Sequence, residues 1–453
     1  MDHKTLFSKT KPVRLFFMAA IPGSVGMLAS SLYQLMDGIM VGQLLEDAAF
    51  AALNLAMPFV IVNFALADLI GVGSSVPISI HLGAKNEKKA NNIFTCACIM
   101  IEAVGVLFGA ALYFAAPALI GLMGAEGELA TFAVQYLRVY ALSSPLTTII
   151  YAVDNYLRIC GKIKGSMFLN VLMSALCAGL EFVFLYFFKW GIWGAALGTC
   201  CGMAVCAVIA FWPFFRGKMQ LRFTKPQFSM QMTKQIMACG SPAFLNNVAG
   251  RVTSVIMNAI LLRMGGADAV SIYGVLMYVD GFVLPLLYGM CDSLQPAVGY
   301  NWGAGDRHRV KAIEKCCYTA ALVLSVTSAA VIMIFPKPIA GLFISGGQTA
   351  LLDAAAPALM LFGLTYITRW FSFATQSFMA AIEKPGAASA ISVATALIFP
   401  LIFIGVLWPL DLTGLWLNMP ATALAAGALS AVLLALFFKK QKKTGSNSRS
   451  AGR

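Results

Sequence analysis

About twelve times along this chain a run of some 20 mostly apolar residues recurs, the length a helix needs to cross the hydrocarbon core of a bilayer. The runs begin near Leu15, Phe50, Ile93, Thr131, Ser166, Gly191, Gln235, Val270, Cys316, Asp353, Gly386 and Gly414. In lipid every backbone N–H and C=O must be satisfied within the chain, which leaves helices or a closed barrel, and barrel strands are about half this length. With 60% of residues hydrophobic and 11% charged, the expectation is an all-α polytopic membrane protein of about twelve transmembrane helices. The connections are short, and none could fold into a domain of its own. The first run is too long and too interrupted by Gly and Pro for a cleavable signal.

The chain also overlays itself. Displaced by 220 residues, Pro22 falls on Pro242, Gly83 on Gly303 and Ala84 on Ala304, and the stretch ISIHLGAKNEKKA falls on VGYNWGAGDRHRV. With one further residue inserted, Asn155 falls on Gln376 and Gly165 on Gly386. Each half then holds six spans, and an even number gives both halves the same orientation. Parallel repeats related by an axis along the membrane normal follow. The expected divisions are a tail over 1–14, a first lobe over 15–212, a linker over 213–234, a second lobe over 235–438 and a basic tail over 439–453.

A net charge of +13 raises the question of nucleic acid, but the charge is laid out as topology. Of 32 Lys and Arg residues, 26 fall in the tails and on one set of loops. Only Lys189, Arg263 and Lys337 fall on the other set, and Arg138, Arg251 and Arg369 lie within spans. The positive-inside rule puts both termini in the cytoplasm of a cell inner membrane, with anionic lipid as the contact of the basic tails. No nucleic-acid partner is expected. The eleven cysteines sit mostly in or at the ends of spans without ligand spacing, and read as small buried hydrophobes.

Ionisable residues inside spans are costly and mark function or helix pairing. In the first span Ser30, Tyr33, Gln34 and Asp37 return to one helical face. In the fifth, Asn170, Ser174, Cys177 and Glu181 do the same at spacings of four, three and four. A carboxylate deep in an apolar helix has its ionised form disfavoured unless a cation compensates, so two such acids in one lobe could share a proton or hold a sodium ion. Alternatively Asp37 reaches interfacial water and Glu181 bonds a neighbouring helix. Arg251 and Arg369 could pair with Asp280 or Asp292, or meet substrate. Asp68, Glu102, Arg138 and Asp154 read as span-end or lobe-internal groups. Phe59, Tyr278, Tyr288, Trp302 and Trp370 are aromatics that could line a cavity for flat cations or serve as core and interfacial residues. The cavity candidates are Tyr33, Gln34, Asn258, Tyr278, Tyr288, Arg251 and Arg369.

Three segments resemble one family, the MATE (multidrug and toxic compound extrusion) transporters. YQLMDGIMVGQL in the first span is similar to the family's Asp-containing pattern ending in Val-Gly. NYLRICGKIKGSMFLN resembles its Asn-x-x-Leu-Arg-x-x-Gly turn, and SLQPAVGYNWGAGDRHRVK its Gln-Pro…Tyr-Asn-x-Gly-Ala motif. FKWGIWGAALGT and GLWLNMPAT also fit, and the resemblance runs from about residue 15 to 438. It implies secondary active export of amphipathic, usually cationic organic compounds, by alternating access in a probably monomeric carrier, against inward proton or sodium flow. No other cofactor is implied. In the DinF-like and MepA-like branches a first-helix Asp with a fifth-helix Asn and acid forms the coupling site, which carries over to Asp37, Cys177 and Glu181. Here Cys stands for the Asn and Glu for the more usual Asp, an amide ligand is lost, and proton or sodium stays open. The NorM-like branch has carboxylates on the seventh and tenth helices, where this chain has Arg251 and Arg369 nearby.

Two rival readings differ in what they require. A flippase for a lipid-linked saccharide, from the same superfamily, would use Arg251 and Arg369 as cavity cations. A membrane-embedded enzyme needs a nucleophile and base or a metal set near the surface. No HExxH or GxSxG is present in the sequence.

Overall fold

The structure is a computed structural model, and it describes residues 3–45, 47–344 and 349–450. Arg453 of the basic tail lies outside the described residues. Every regular element among them is helical: α1 His3–Lys9, α2 Pro12–Leu44, α3 Asp47–Gly83, α4 Glu87–Leu122, α5 Gly127–Ile159, α6 Ile163–Phe182, α7 Ile192–Phe215 and α8 Met230–Asp292. Then come α9 Gln295–Gly303, α10 Arg307–Ile334, α11 Pro336–Ala340, α12 Thr349–Gly363, α13 Thr365–Ala381, α14 Pro385–Val393, α15 Phe399–Val406 and α16 Asp411–Ser450. Two π-helical turns, Val183–Phe187 and Ala394–Ile398, follow α6 and α14. Several starts are written in the sequence: Pro12, Pro296, Pro385 and Pro400 stand in first turns, where a missing N–H costs nothing.

Nine helices are long and apolar enough to cross a membrane, or ten if the bent pair α12–α13 is one span. The 74-residue stretch Met230–Gly303 would be about 110 Å long if straight, more than three bilayer cores. It is broken at Gly266, whose φ of 65° lies in the left-handed region open to glycine, so it supplies two legs. The 33 residues of α5 are also long enough to cross, although polar residues dilute them. These pieces account for the twelve spans. Several helices begin one or two turns before the apolar run, α4 at Glu87 and α10 at Arg307 among them.

The repeat is visible in the backbone. Lys85 (φ 60°) and Gly305 (φ 79°) make the same left-handed turn 220 residues apart. Gly191 (φ 66°) and Asp411 (φ 50°), also 220 apart, do the same before α7 and at the start of α16.

By packing the chain forms two units. The first takes Met1–Val248, Tyr288–Glu314 and Ala381–Glu383; the second takes Ala249–Leu287, Lys315–Ala380 and Lys384–Arg453. Both ends of the α8–α9 stretch, expected in the second lobe, therefore cluster with the first unit. In that unit α3 packs on α4, α5 and α9, and α6 lies between α2 and α7. Its core runs from Val41 and Leu53 through Leu112, Tyr136 and Leu137 to Ile192. The second unit is built around Leu261, Leu276, Leu359, Phe362 and Tyr366, all buried.

The expected tails and linker are ordered pieces of structure. In α1, Leu6 and Phe7 are buried, Phe7 packs on Tyr300, and Asn301 and Arg309 donate to the Phe7 carbonyl at 3.1 and 2.7 Å. After α7 the chain lies along the start of α4. There Asn92 exchanges two hydrogen bonds with the Gln227 backbone, and the amide N–H groups of Arg222 and Thr224 donate to Asn91 and Thr95. The backbone of α16 continues helically through Ser450.

Candidate functional site

Asp37 on α2 and Glu181 at the end of α6 are both buried, at 6% and 0% exposure. Their carboxyl groups are hydrogen-bonded to each other, an arrangement that needs a proton between them. Asp37 Oδ1 and Glu181 Oε1 are sealed from solvent with no hydrogen-bond donor on either. Beside them the Tyr33 hydroxyl donates to Glu181 Oε2 at 3.4 Å and lies 2.6 Å from Thr199 Oγ1 of α7. Cys177, one turn before Glu181, donates its thiol to the Thr199 carbonyl at 3.4 Å. The buried Tyr136 ring of α5 closes the same neighbourhood.

Glu181 is placed by two glycines. A methyl group on Gly198 would lie 2.6 Å from the Cα and N of Glu181, and one on Gly202 would lie 2.7 Å from Cys177 Sγ and 2.8 Å from its N. Real side chains do not approach so closely, so α6 and α7 meet backbone to backbone at the acid. This is the small-xxx-small packing that membrane helices use in place of a hydrophobic driving force. Directly after Glu181 the helix widens into the π turn Val183–Phe187, a distortion often found at functional sites.

The other sequence candidates go elsewhere. Asn170 lies eleven residues before Glu181, about 16 Å along the helix. It donates instead to Asp154 Oδ1 at 2.9 Å. Asp154 also accepts from Ser166 and pairs with the buried Arg158 at 2.6 Å, a closed network between α5 and α6. Ser30 and Ser174 bond back to carbonyls of their own helices, and Gln34 is exposed.

In the second unit Arg369 Nη1 meets Asp280 Oδ1 at 2.8 Å, and the Tyr366 hydroxyl donates to the same oxygen at 2.6 Å. Of the two acids expected as partners, Asp280 takes Arg369, while Asp292 accepts from Gln295 in the first unit. Asn258 donates to the Ser254 carbonyl. Tyr278 is half exposed and stacks on Phe343, centroids 5.3 Å apart. Tyr288, in the first unit, accepts from Asn246 at 2.6 Å. Arg251 is exposed, with no ion pair among the described residues.

Sequence reasoning missed Thr199, Tyr136 and the two glycines. The GTCCG run at 198–202 was the available signal, a GxxxG inside an apolar helix. The group that the site suits is a hard cation or a proton, because its converging atoms are carboxyl, hydroxyl and carbonyl oxygens.

The comparisons agree on one family. The family model described as MatE matches residues 22–187 and again 242–406, two copies beginning 220 residues apart. The multidrug export protein MepA of Staphylococcus saprophyticus is 25% identical over 370 residues, covering 80% of this chain and 81% of its own. MepA of Staphylococcus aureus is 24% identical over 421 residues, covering 89% and 91%. The fold is that of a crystal structure of a MATE in complex with MaL6, with a TM-score of 0.93, 22% identity, and 98% and 100% of the two chains covered. With well over half of its length matched, in two copies, this chain belongs to the MATE family of membrane transporters.

Proposed function

We propose that the protein exports amphipathic, mostly cationic organic compounds, driven by inward flow of protons or sodium ions through the Asp37–Glu181 site. The observation that carries this reading is the sealed contact of two carboxyl groups from α2 and α6, each with an oxygen that no donor meets. Two carboxylates in contact away from water cannot both stay charged unless a cation joins them. Loading one proton or one sodium ion therefore changes the charge of a dry site, and the cost of that charge differs between an open, wet conformation and a closed one. Ion and substrate then bias the same two-state equilibrium, which is what coupling requires. Kinship with proteins named as multidrug exporters supports the direction and the substrate class. The 26-to-3 distribution of basic residues supports an inner-membrane location with both termini in the cytoplasm.

The test is transport of a fluorescent organic cation by purified protein in proteoliposomes, with proton and sodium gradients imposed separately. One gradient should drive accumulation several-fold above protein-free vesicles. If neither does, while a lipid-linked saccharide is translocated, the protein is a flippase.

A further inference from the structure

We propose that Arg251 recognises an anionic group on the transported molecule, a carboxylate foremost, so that the substrates include amphiphiles carrying both a cation and a carboxylate. The inference rests on the export reading above and adds a specificity-determining residue to it.

Arg251 lies in the first leg of α8, twelve residues and about 18 Å from Arg263 near the turn at Gly266, which is about mid-depth for a bilayer core. Its side chain is exposed, yet protein around it withdraws it from bulk water. A guanidinium facing acyl chains at that depth carries a heavy penalty, so arginines inside spans face protein or a water-lined surface.

Nothing in its own unit neutralises it. The nearby polar groups are uncharged: Ser254, bonded to the Tyr273 hydroxyl, and Asn258, bonded to the Ser254 carbonyl. The carboxylate of that region, Asp280, is taken by Arg369 and Tyr366 on a single oxygen. Val252 and Val255, exposed beside Arg251, give the same face an apolar surface. An unpaired planar fork with an apolar margin matches an amphiphile bearing a carboxylate, which guanidinium binds through two parallel hydrogen bonds. The same charge disfavours a bare cation.

A matched pair of dyes reads this out: a rhodamine with a free carboxylate and its methyl ester, which share rings and cation and differ only in the anion. Both are assayed with full-length protein in vesicles of phosphatidylcholine with and without phosphatidylglycerol. Arg251→Gln should raise KM for the acid about ten-fold, the range for losing a charged hydrogen-bonded partner, while KM for the ester stays level or falls. Arg251→Lys should fall between, which guards against a folding defect in the first variant. Equal losses for both dyes, or no change for either, overturn the proposal. So does an effect confined to vesicles with phosphatidylglycerol, which would assign Arg251 to lipid headgroups. Wild-type protein that moves the ester but not the acid sinks this inference and leaves export standing; transport of neither dye under any gradient sinks the export reading itself.

Discussion

Gly83 and Gly303 make reciprocal contacts: a side chain on Gly83 would overlap the carbonyl of Tyr300, and one on Gly303 would overlap the carbonyl of Ile80. Each glycine meets the carbonyl three residues before the other, so the contact between α3 and α9 repeats itself under the 220-residue displacement. Two equivalent pieces of the chain have been brought backbone to backbone about a local two-fold axis. Alanine at either glycine forces the helices apart, and overpacking of this kind costs about 1–3 kcal/mol. Gly83→Ala and Gly303→Ala should each lower the apparent melting temperature of the detergent-solubilised protein. The double variant should lose less than the sum, because both changes open one contact. Melting at the wild-type temperature would show that the contact is looser than described.

Gly198→Ala leaves Asp37 and Glu181 chemically intact but pushes the acid's backbone off α7. It should therefore abolish gradient-driven transport while the protein still inserts and folds. Gly179→Ala, two residues before the acid, is the control, since nothing lies within 4 Å of where its methyl would point. Equal activity of the two variants in proteoliposomes would dismiss the backbone contact as a positioning element.

The Asp154–Arg158 pair is held by Ser166 and Asn170. Asp154→Asn strands a buried guanidinium, which costs about 3–5 kcal/mol. Its yield of folded, monodisperse protein should fall sharply. Arg369→Gln leaves Asp280 bonded to Tyr366 and should be milder. A reversed ranking would relocate the stabilising network to the second unit.

Topology is tested by reporter fusions at Glu126 and Lys439, which should report opposite sides of the membrane. Reporters on the same side would refute the twelve-span orientation.

The apolar runs and the displaced motifs were enough to read the twelve spans and the repeat, because the bilayer limits both length and pattern. The acids were legible for the same reason: Asp37 and Glu181 stand out in spans where every charge is costly. Depth and partner were not legible. Helical spacing set Asn170 on the face of Glu181, but eleven residues of rise put it on Asp154. Arg369 had two acids to choose from, and only tertiary packing selects Asp280. Thr199 carries no signal of its own in an apolar helix; its place beside Tyr33 depends on Gly198 and Gly202 letting two backbones meet. The helical start of the tail, α1, was missed because burial of Leu6 and Phe7 depends on residues some 300 positions away.

The most direct test of the account is Asp37→Asn in reconstituted vesicles, with dye transport measured under the gradient that drives the wild type. Asn keeps the shape of the side chain and removes the charge that an ion would neutralise. Uptake should fall to the level of protein-free vesicles, with melting temperature and helix content unchanged. Near-wild-type uptake under the same gradient would place coupling outside the Asp37–Glu181 contact and contradict the account.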